Sequence, residues 1–441
     1  MRVPVLPLFL FCAAALHGAD FRVGVGRKPI APEHRPVWLS GYAARTTPAT
    51  GTVHQVWAKA LVFEEAPTNR FALITAEVLG LSREITEDVA ARLRSRYGLP
   101  RAQVLFNSSH THAGPYVWPC LGVCQDLSPE DQRGAIAYDR QLADALVEVV
   151  GMALTNLAPA RVTAGRGSAE FAANRRRPPV KPVDHDVPVV RIAAPDGAVR
   201  AVLFGYACHN TTLPAANLMV CGDYAGFAQA ELEQAYPGAT ALFLQGCAAD
   251  QNPSPRGTME IARQHGRALA DAVRQVLSNA MRPVRAPLHT AFTETQLEFS
   301  PFQEEPYRKD LLGADVFKKR RAQLMLEQFR TGHVIRTFPY PVQAVRFGDD
   351  LTLLAMSGET VVDYALRAKR EFSGENLIMA GYCNAVQCYI PSRRILQEGG
   401  YEANDSMIYY GLPGPFTNSV EDTVFSAVRL VMRQVGARAA D

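Results

Sequence analysis

His110-Thr111-His112 sets two imidazoles two residues apart, a spacing that in an extended segment turns both rings to one side, where they can share a metal or divide metal binding and proton transfer. A loop pair hydrogen-bonded to its own surroundings would carry the same pattern, so the spacing alone leaves both readings open. Ser108, Ser109 and Thr111 supply the donors and acceptors that orient metal-bound histidines, and they are equally ordinary turn residues. His209 closes an apolar run, where an imidazole must be ligated or hydrogen-bonded to be tolerated. Glu359 follows Ser357-Gly358 at the start of a helical stretch, and suits either a metal or the positive end of a helix dipole. Tyr389 by itself reads as a core aromatic. Cys247 is a nucleophile in principle, but a buried structural thiol is the plainer reading.

The elements that must position these residues follow one grammar. Residues 70–77 (RFALITAE) read as a buried strand and residues 83–97 as a helix with Ser82 as its N-cap, stopped by Gly98-Leu99-Pro100. A second strand, 103–106, then runs into the polar loop 107–115 that carries the two histidines. The pattern recurs. Residues 199–206 form a strand that delivers His209; a helix over 224–236 and a strand over 239–244 lead into 245–253; and a strand over 351–356 delivers Glu359 ahead of a helix over 360–371. In α/β sheets, ligands bind beyond the carboxyl ends of strands, so these loops are expected to converge. The predicted fold is a single α/β domain, a mixed β-sheet core flanked by helices, with the active site at the carboxyl ends of the strands.

Between about 287 and 340 the pattern loosens, and the segment reads as an excursion from the main domain. A basic helix near 316–329 carries Lys318-Lys319-Arg320-Arg321, which could make transient contact with an anionic membrane surface. A solvated helix face is the plainer reading, because no strong apolar stripe accompanies it.

With 441 residues, 48% hydrophobic and 20% charged, the chain is neither disordered nor fibrous in composition. Its 46 basic and 43 acidic residues give a formal charge of +3 without a basic stripe, which argues against a nucleic-acid partner. Met1-Arg2, an apolar run to Leu16 and the small pair Gly18-Ala19 read as a signal peptide over 1–19, so the mature domain, 20–441, is expected to be secreted or periplasmic. Seven cysteines follow the leader, an odd number. Cys120/Cys124 and Cys383/Cys388 are spaced closely enough to be disulfide candidates, and no CxxC zinc-ribbon pair occurs.

Taken together, Gly24-Val25-Gly26-Arg27, Ser40-Gly41-Tyr42-Ala43, Ser109 to Pro115, Gly358-Glu359-Thr360, Asn384 to Tyr389 and Tyr401-Glu402-Ala403 occur in the order seen in the neutral ceramidases. The chain resembles the catalytic domain of that family over nearly its whole mature length, without the immunoglobulin-like domain that follows in ceramidases. The resemblance implies a zinc ion bound by His110, His209, Glu359 and Tyr389, with His112 beside the reaction centre. It also implies that Arg175 lies near the scissile amide and that Tyr401 hydrogen-bonds the substrate, although Arg176-Arg177-Pro178 replaces the family's Ser-Pro after Asn174-Arg175. The implied activity is zinc-dependent cleavage of an N-acyl sphingosine or a related lipid amide.

One block departs. Where ceramidases carry Gly-Asp-Val-Ser-Pro-Asn with an essential serine, this chain has Gly246 to Asn252, and the serine position falls on Ala249, or on Asp250 with one insertion. Neither restores the hydroxyl. A water-based route using zinc, His112 and Arg175 or Tyr401 needs only what is present. The alternatives are a zinc hydrolase of other amides or esters, and a catalytically silent lipid- or metal-binding relative.

Overall fold

The computed structural model describes residues 21–33, 35–176 and 182–440. The expected leader, 1–19, and Arg177-Pro178 lie outside the described residues. Twelve long strands build the core: β1 (Phe21–Pro29), β2 (Trp57–Ala66), β3 (Asn69–Ala76), β4 (Val104–Ser108), β5 (Ala158–Ser168), β6 (Asp186–Ala193), β7 (Val199–Tyr206), β8 (Thr240–Gln245), β9 (Leu288–Glu298), β10 (Thr337–Phe347), β11 (Leu351–Ser357) and β12 (Leu377–Cys383). They lie in the order 8-7-6-5-1-2-3-4-12-11-10-9, and Arg282–Pro283 adds a short strand beside β5. The sheet folds back on itself: one apolar cluster joins Leu61, Phe63 and Leu73 from one half to Val190, Leu203 and Leu242 from the other. Alternate residues of β2, Ala58, Ala60 and Val62, face the other way, toward the helices. Strands covered on both faces are apolar throughout, which is why β3, β7, β8 and β11 were legible as short hydrophobic runs.

Among the twelve core strands three neighbouring pairs are parallel: β3/β4, β7/β8 and β11/β12. The helices of the described residues are α1 (Arg83–Tyr97), α2 (Pro129–Thr155), α3 (Asp223–Ala235), α4 (Met259–Ser278), α5 (Glu305–Leu312), α6 (Val316–Thr331), α7 (Val362–Glu371), α8 (Arg393–Glu398), α9 (Met407–Tyr410) and α10 (Val420–Gln434). Parallel neighbours need crossover connections, and α1, α3 and α7 provide them. α1 begins where expected: Ser82 Oγ accepts from the Ile85 amide at 3.3 Å, and Gly98 at φ 69° ends the helix. β4 and β12 meet only at their carboxyl tips, through the antiparallel pair Asn107 and Cys383.

Three expectations need correction. The segment from 287 to 340 is not all excursion, because β9 and β10 pair over eleven residues from Leu288 opposite Phe347 to Glu298 opposite Thr337. β9 is the outer strand, so its outward Thr, Glu and Gln residues broke the apolar run, and Pro339 and Pro341 disguised β10. Only α5 and α6 stand apart, around Tyr307, Ala322 and Met325. On α6, Arg320 bonds to the Val123 and Gln125 carbonyls and pairs with Asp126, and Arg321 pairs with Asp310, so half of the basic cluster is engaged with protein. Second, the helix after Glu359 begins only at Val362; Glu359-Thr360 is a two-residue strand, so Glu359 does not cap a helix. Third, all seven described cysteines are free and buried, including both close pairs. No described helix is long and apolar enough to cross a membrane.

Candidate metal centre and active site

β4 ends in a fully buried tip, and the chain then turns so that His110 adopts φ 59°, a left-handed conformation that a non-glycine residue holds only where its surroundings enforce it. The enforcing bonds are visible: Ser109 N to Ala76 O at 2.9 Å and His110 N to Val78 O at 3.0 Å. His110 Nδ1 then donates to Leu79 O at 2.7 Å. His209, just past β7, is built alike, with its amide on Gln251 O at 2.9 Å and Nδ1 donating to Ala248 O at 2.7 Å. A carbonyl acceptor at Nδ1 fixes the tautomer, so both rings present an Nε2 lone pair inward.

Glu359 is aimed by the chain on both sides. Gly358 at φ 69° makes the turn out of β11, and the Glu359 amide donates to Cys388 O at 2.8 Å. The side chain lies between the two rings: Oε2 is 3.2 Å from His110 Nε2 and 3.2 Å from His209 Nε2. Tyr382 donates to Oε2 at 3.4 Å, and Tyr410 donates to Oε1. Tyr389 places its hydroxyl 3.3 Å from His209 Nε2. His110, His209, Glu359 and Tyr389 are thus brought together at one buried point.

His112 belongs to the same cluster but is held differently. Its Nε2 is 3.2 Å from His110 Nε2, while its Nδ1 is buried without a partner, so no carbonyl fixes its tautomer. The ring packs on Tyr42 at a centroid distance of 4.8 Å, and the His112 carbonyl accepts from Arg45. Gly41, at φ 99°, leaves room for that ring: a Cβ there would lie 2.3 Å from His112 Nδ1.

This donor chemistry fits a divalent metal ion. The ring nitrogens of His110, His112 and His209 lie within 4.8 Å of one another. Burial pushes His209 down to about 4, which leaves it neutral and able to ligate. Burial works to raise Glu359, but His110 and His209 outweigh it and hold the carboxylate well below its usual range. Two preset imidazole lone pairs, an anionic oxygen and a phenol facing one point form a set of the kind that binds such ions.

In front of the cluster opens a cleft of about 830 Å³ with His112 and Tyr389 in its wall. Arg175 reaches in from the segment after Asn174, donating to Glu402 at 2.8 Å, to Asn252 Oδ1 at 3.4 Å and to the Tyr389 hydroxyl at 3.1 Å. Its guanidinium lies 5.3 Å from the centroid of the Tyr401 ring, which is itself 5.3 Å from that of Tyr389. Tyr401, 40% exposed, also lines the cleft.

Apart from Asn252, the loop 246–252 does not line the cleft. Ala249 is fully buried in an apolar cluster, with its amide on Thr360 O at 3.2 Å. Asp250 accepts from the Val362 amide at 2.9 Å and from Asn174 Nδ2 at 2.8 Å, and its carbonyl accepts the Arg175 amide at 2.8 Å. Neither residue lines the cleft, so neither stands in for the absent hydroxyl; Asp250 positions Arg175 instead. Cys247 is buried, which pushes its thiol well above the ordinary range and leaves no nucleophile.

Several functional side chains escaped sequence reasoning. Tyr382 and Tyr410, the donors to Glu359, look like any aromatics in an apolar stretch. Glu402 lies in the block Tyr401-Glu402-Ala403, and Tyr42 in Ser40-Gly41-Tyr42-Ala43, so only their place in those blocks marked them.

The neutral/alkaline non-lysosomal ceramidase, N-terminal, family model matches residues 21–259 of this chain. That span holds His110, His112, Arg175 and His209. Glu359, Tyr389 and Tyr401 lie beyond it. The neutral ceramidase of Mycobacterium tuberculosis is 25% identical over 474 residues, which cover 87% of this chain and 74% of that protein. The neutral ceramidase of Pseudomonas aeruginosa is 24% identical over 511 residues, covering 97% and 74%. The crystal structure of a neutral ceramidase from Pseudomonas aeruginosa superposes with a TM-score of 0.73 at 20% identity, covering 96% of this chain and 76% of that one, which establishes a shared fold.

Proposed function

This chain belongs to the neutral/alkaline non-lysosomal ceramidase family, and from that premise we propose that it hydrolyses the amide of an N-acyl sphingosine or a related lipid amide with a zinc ion held by His110, His209, Glu359 and Tyr389. The observation that carries the reading is that one oxygen of Glu359 stands 3.2 Å from Nε2 of both His110 and His209, each ring preset by a backbone carbonyl. When bound there, zinc supplies Lewis acidity toward a carbonyl and lowers the pKa of a water toward neutrality.

The chain's own residues supply the rest. His112, with Nδ1 unpartnered and its ring in the cleft wall, carries a proton to the leaving nitrogen. Arg175, fixed by Glu402 and Asn252, keeps its charge aimed at the cleft and donates to the developing oxyanion. Tyr401, whose ring lies 5.3 Å from the Arg175 guanidinium, donates beside it. One such donor contributes about 3 kcal/mol to lowering the barrier, so the lack of a serine hydroxyl at Ala249 alters the site without emptying it. A reaction outside the cytoplasm is part of the same proposal, supported by the leader-like pattern of residues 1–19.

The test combines metal analysis of the purified protein with turnover on N-acyl sphingosines, N-acyl amino acids and simple esters. One zinc per chain and amide hydrolysis are expected, both lost in His209→Ala and Glu359→Ala. Zinc bound without turnover of any N-acyl compound would overturn the enzyme reading and leave a binding protein.

A further inference from the structure

The ionic groups of the cleft do not balance. Its lining holds three guanidiniums, Arg175, Arg176 and Arg256, and two carboxylates, Glu398 and Glu402, a difference of one positive charge. Arg175 pairs with Glu402 at 2.8 Å, and Arg176 pairs with Glu398 at 2.9 Å and with Glu402. Arg256 is exposed and has no hydrogen-bonding or ionic partner among the described residues.

Its backbone, in contrast, is fixed. Ser254 N donates to Phe171 O at 2.8 Å, Gly257 N donates to Thr212 O at 2.8 Å, and the Pro255 carbonyl meets His265 Nε2 at 2.7 Å. A guanidinium carried over a cleft by a fixed loop, with the other two guanidiniums of the lining already paired with carboxylates, attracts and orients an anion. Its planar fork matches the two oxygens of a carboxylate or phosphate. An N-acyl sphingosine has no such group.

Resting on the amide-hydrolase reading above, we propose that Arg256 recognises an acidic substituent, a carboxylate or a phosphate monoester, on the amine half of the substrate. The acyl half is a hydrocarbon chain with no place for the charge. The site therefore selects N-acyl compounds whose amine part is an acid.

Three compounds with one acyl chain test this on the zinc-loaded full chain: N-dodecanoylglycine, N-dodecanoylethanolamine phosphate and neutral N-dodecanoylethanolamine. An acidic compound is expected to exceed the neutral one by about 10- to 100-fold in kcat/KM, expressed in KM, the range of one charge-assisted hydrogen-bonded contact. A gain confined to the glycine conjugate assigns a carboxylate, and one confined to the phosphate ester assigns a phosphate. Arg256→Gln removes the gain and leaves the neutral compound unchanged, and Arg256→Lys retains part of it. Equal use of all three compounds, or an equal loss on all three in Arg256→Gln, would overturn the proposal while leaving the hydrolase reading intact. Calorimetric binding of the same compounds separates the two claims. An acid preference lost in Arg256→Gln without any turnover supports the anion site and removes the hydrolase; no binding preference overturns the anion site.

Discussion

Glu359 and Tyr389 are register partners: the two-residue strands Glu359–Thr360 and Tyr389–Ile390 lie parallel, with these residues side by side. Two groups thirty residues apart in sequence are therefore set by a single backbone ladder. Its entry is Gly358, at φ 69°, where a Cβ would lie 2.9 Å from Cys388 O, the acceptor of the Glu359 amide. Gly358→Ala is expected to destabilise the protein by roughly 1 to 3 kcal/mol and to loosen the metal. Zinc content after dialysis should fall below that of the unaltered chain; full retention would show that the ladder does not set the site.

His112→Gln separates ligand from proton carrier. If His112 moves a proton, zinc content stays the same and kcat falls about 10²- to 10⁴-fold. Loss of the metal together with activity would make His112 a ligand.

Gly41→Ala acts on the same ring without touching its chemistry. The added Cβ, 2.3 Å from His112 Nδ1, displaces the imidazole. A displacement near 1 Å lowers kcat about 10²-fold, with metal content unchanged. Unaltered turnover in a folded Gly41→Ala protein would count against a role for that ring in the reaction.

Protonation of three buried carboxyls stabilises the fold at weakly acid pH, in opposition to the buried His54, His112 and His209, whose depressed values cost stability there. Burial pushes Glu77 up to about 7, Asp139 to about 7 and Asp250 to about 6. Above the carboxyl range of the unfolded chain, near pH 4, the native state keeps protons that the unfolded chain has released. The contribution is thus whole below about pH 4 and is lost by about pH 7. Glu77 alone accounts for something on the order of 3 kcal/mol. Urea unfolding of the wild type and of Glu77→Gln, which keeps an acceptor for the Trp57 amide, should show the variant gaining about 2 kcal/mol on the wild type between pH 5 and pH 7.5. A stability difference between the two proteins that does not change with pH would contradict the Glu77 assignment.

Sequence made visible what is periodic or punctuated. The units β3–α1–β4, β7–α3–β8 and β11–α7–β12 announce themselves as apolar runs bounded by caps and turn residues, and they put His110 and His209 at strand ends by physical reasoning alone. The Glu359–Tyr389 ladder has only two residues on each side, too few for any period, so those groups entered through family resemblance. Tyr382 and Tyr410 become donors only when the chain folds around Glu359, and the unmatched charge of Arg256 is defined by where Glu398 and Glu402 spend theirs. β9 was hidden because an outer strand shows water a polar face. The close cysteine pairs suggested bridges that the packing of seven separate buried thiols does not contain.

The meeting of β4 and β12 at their tips has a consequence for how the chain matures. His110 leaves β4, His209 leaves β7 in the other half of the fold, and Glu359 and Tyr389 follow β11 and β12, so no early portion of the polypeptide owns the complete set. The centre comes into being only when both halves have closed face to face. Occupancy by an ion would then report that assembly is finished, and a refolding experiment would find metal uptake among its last events.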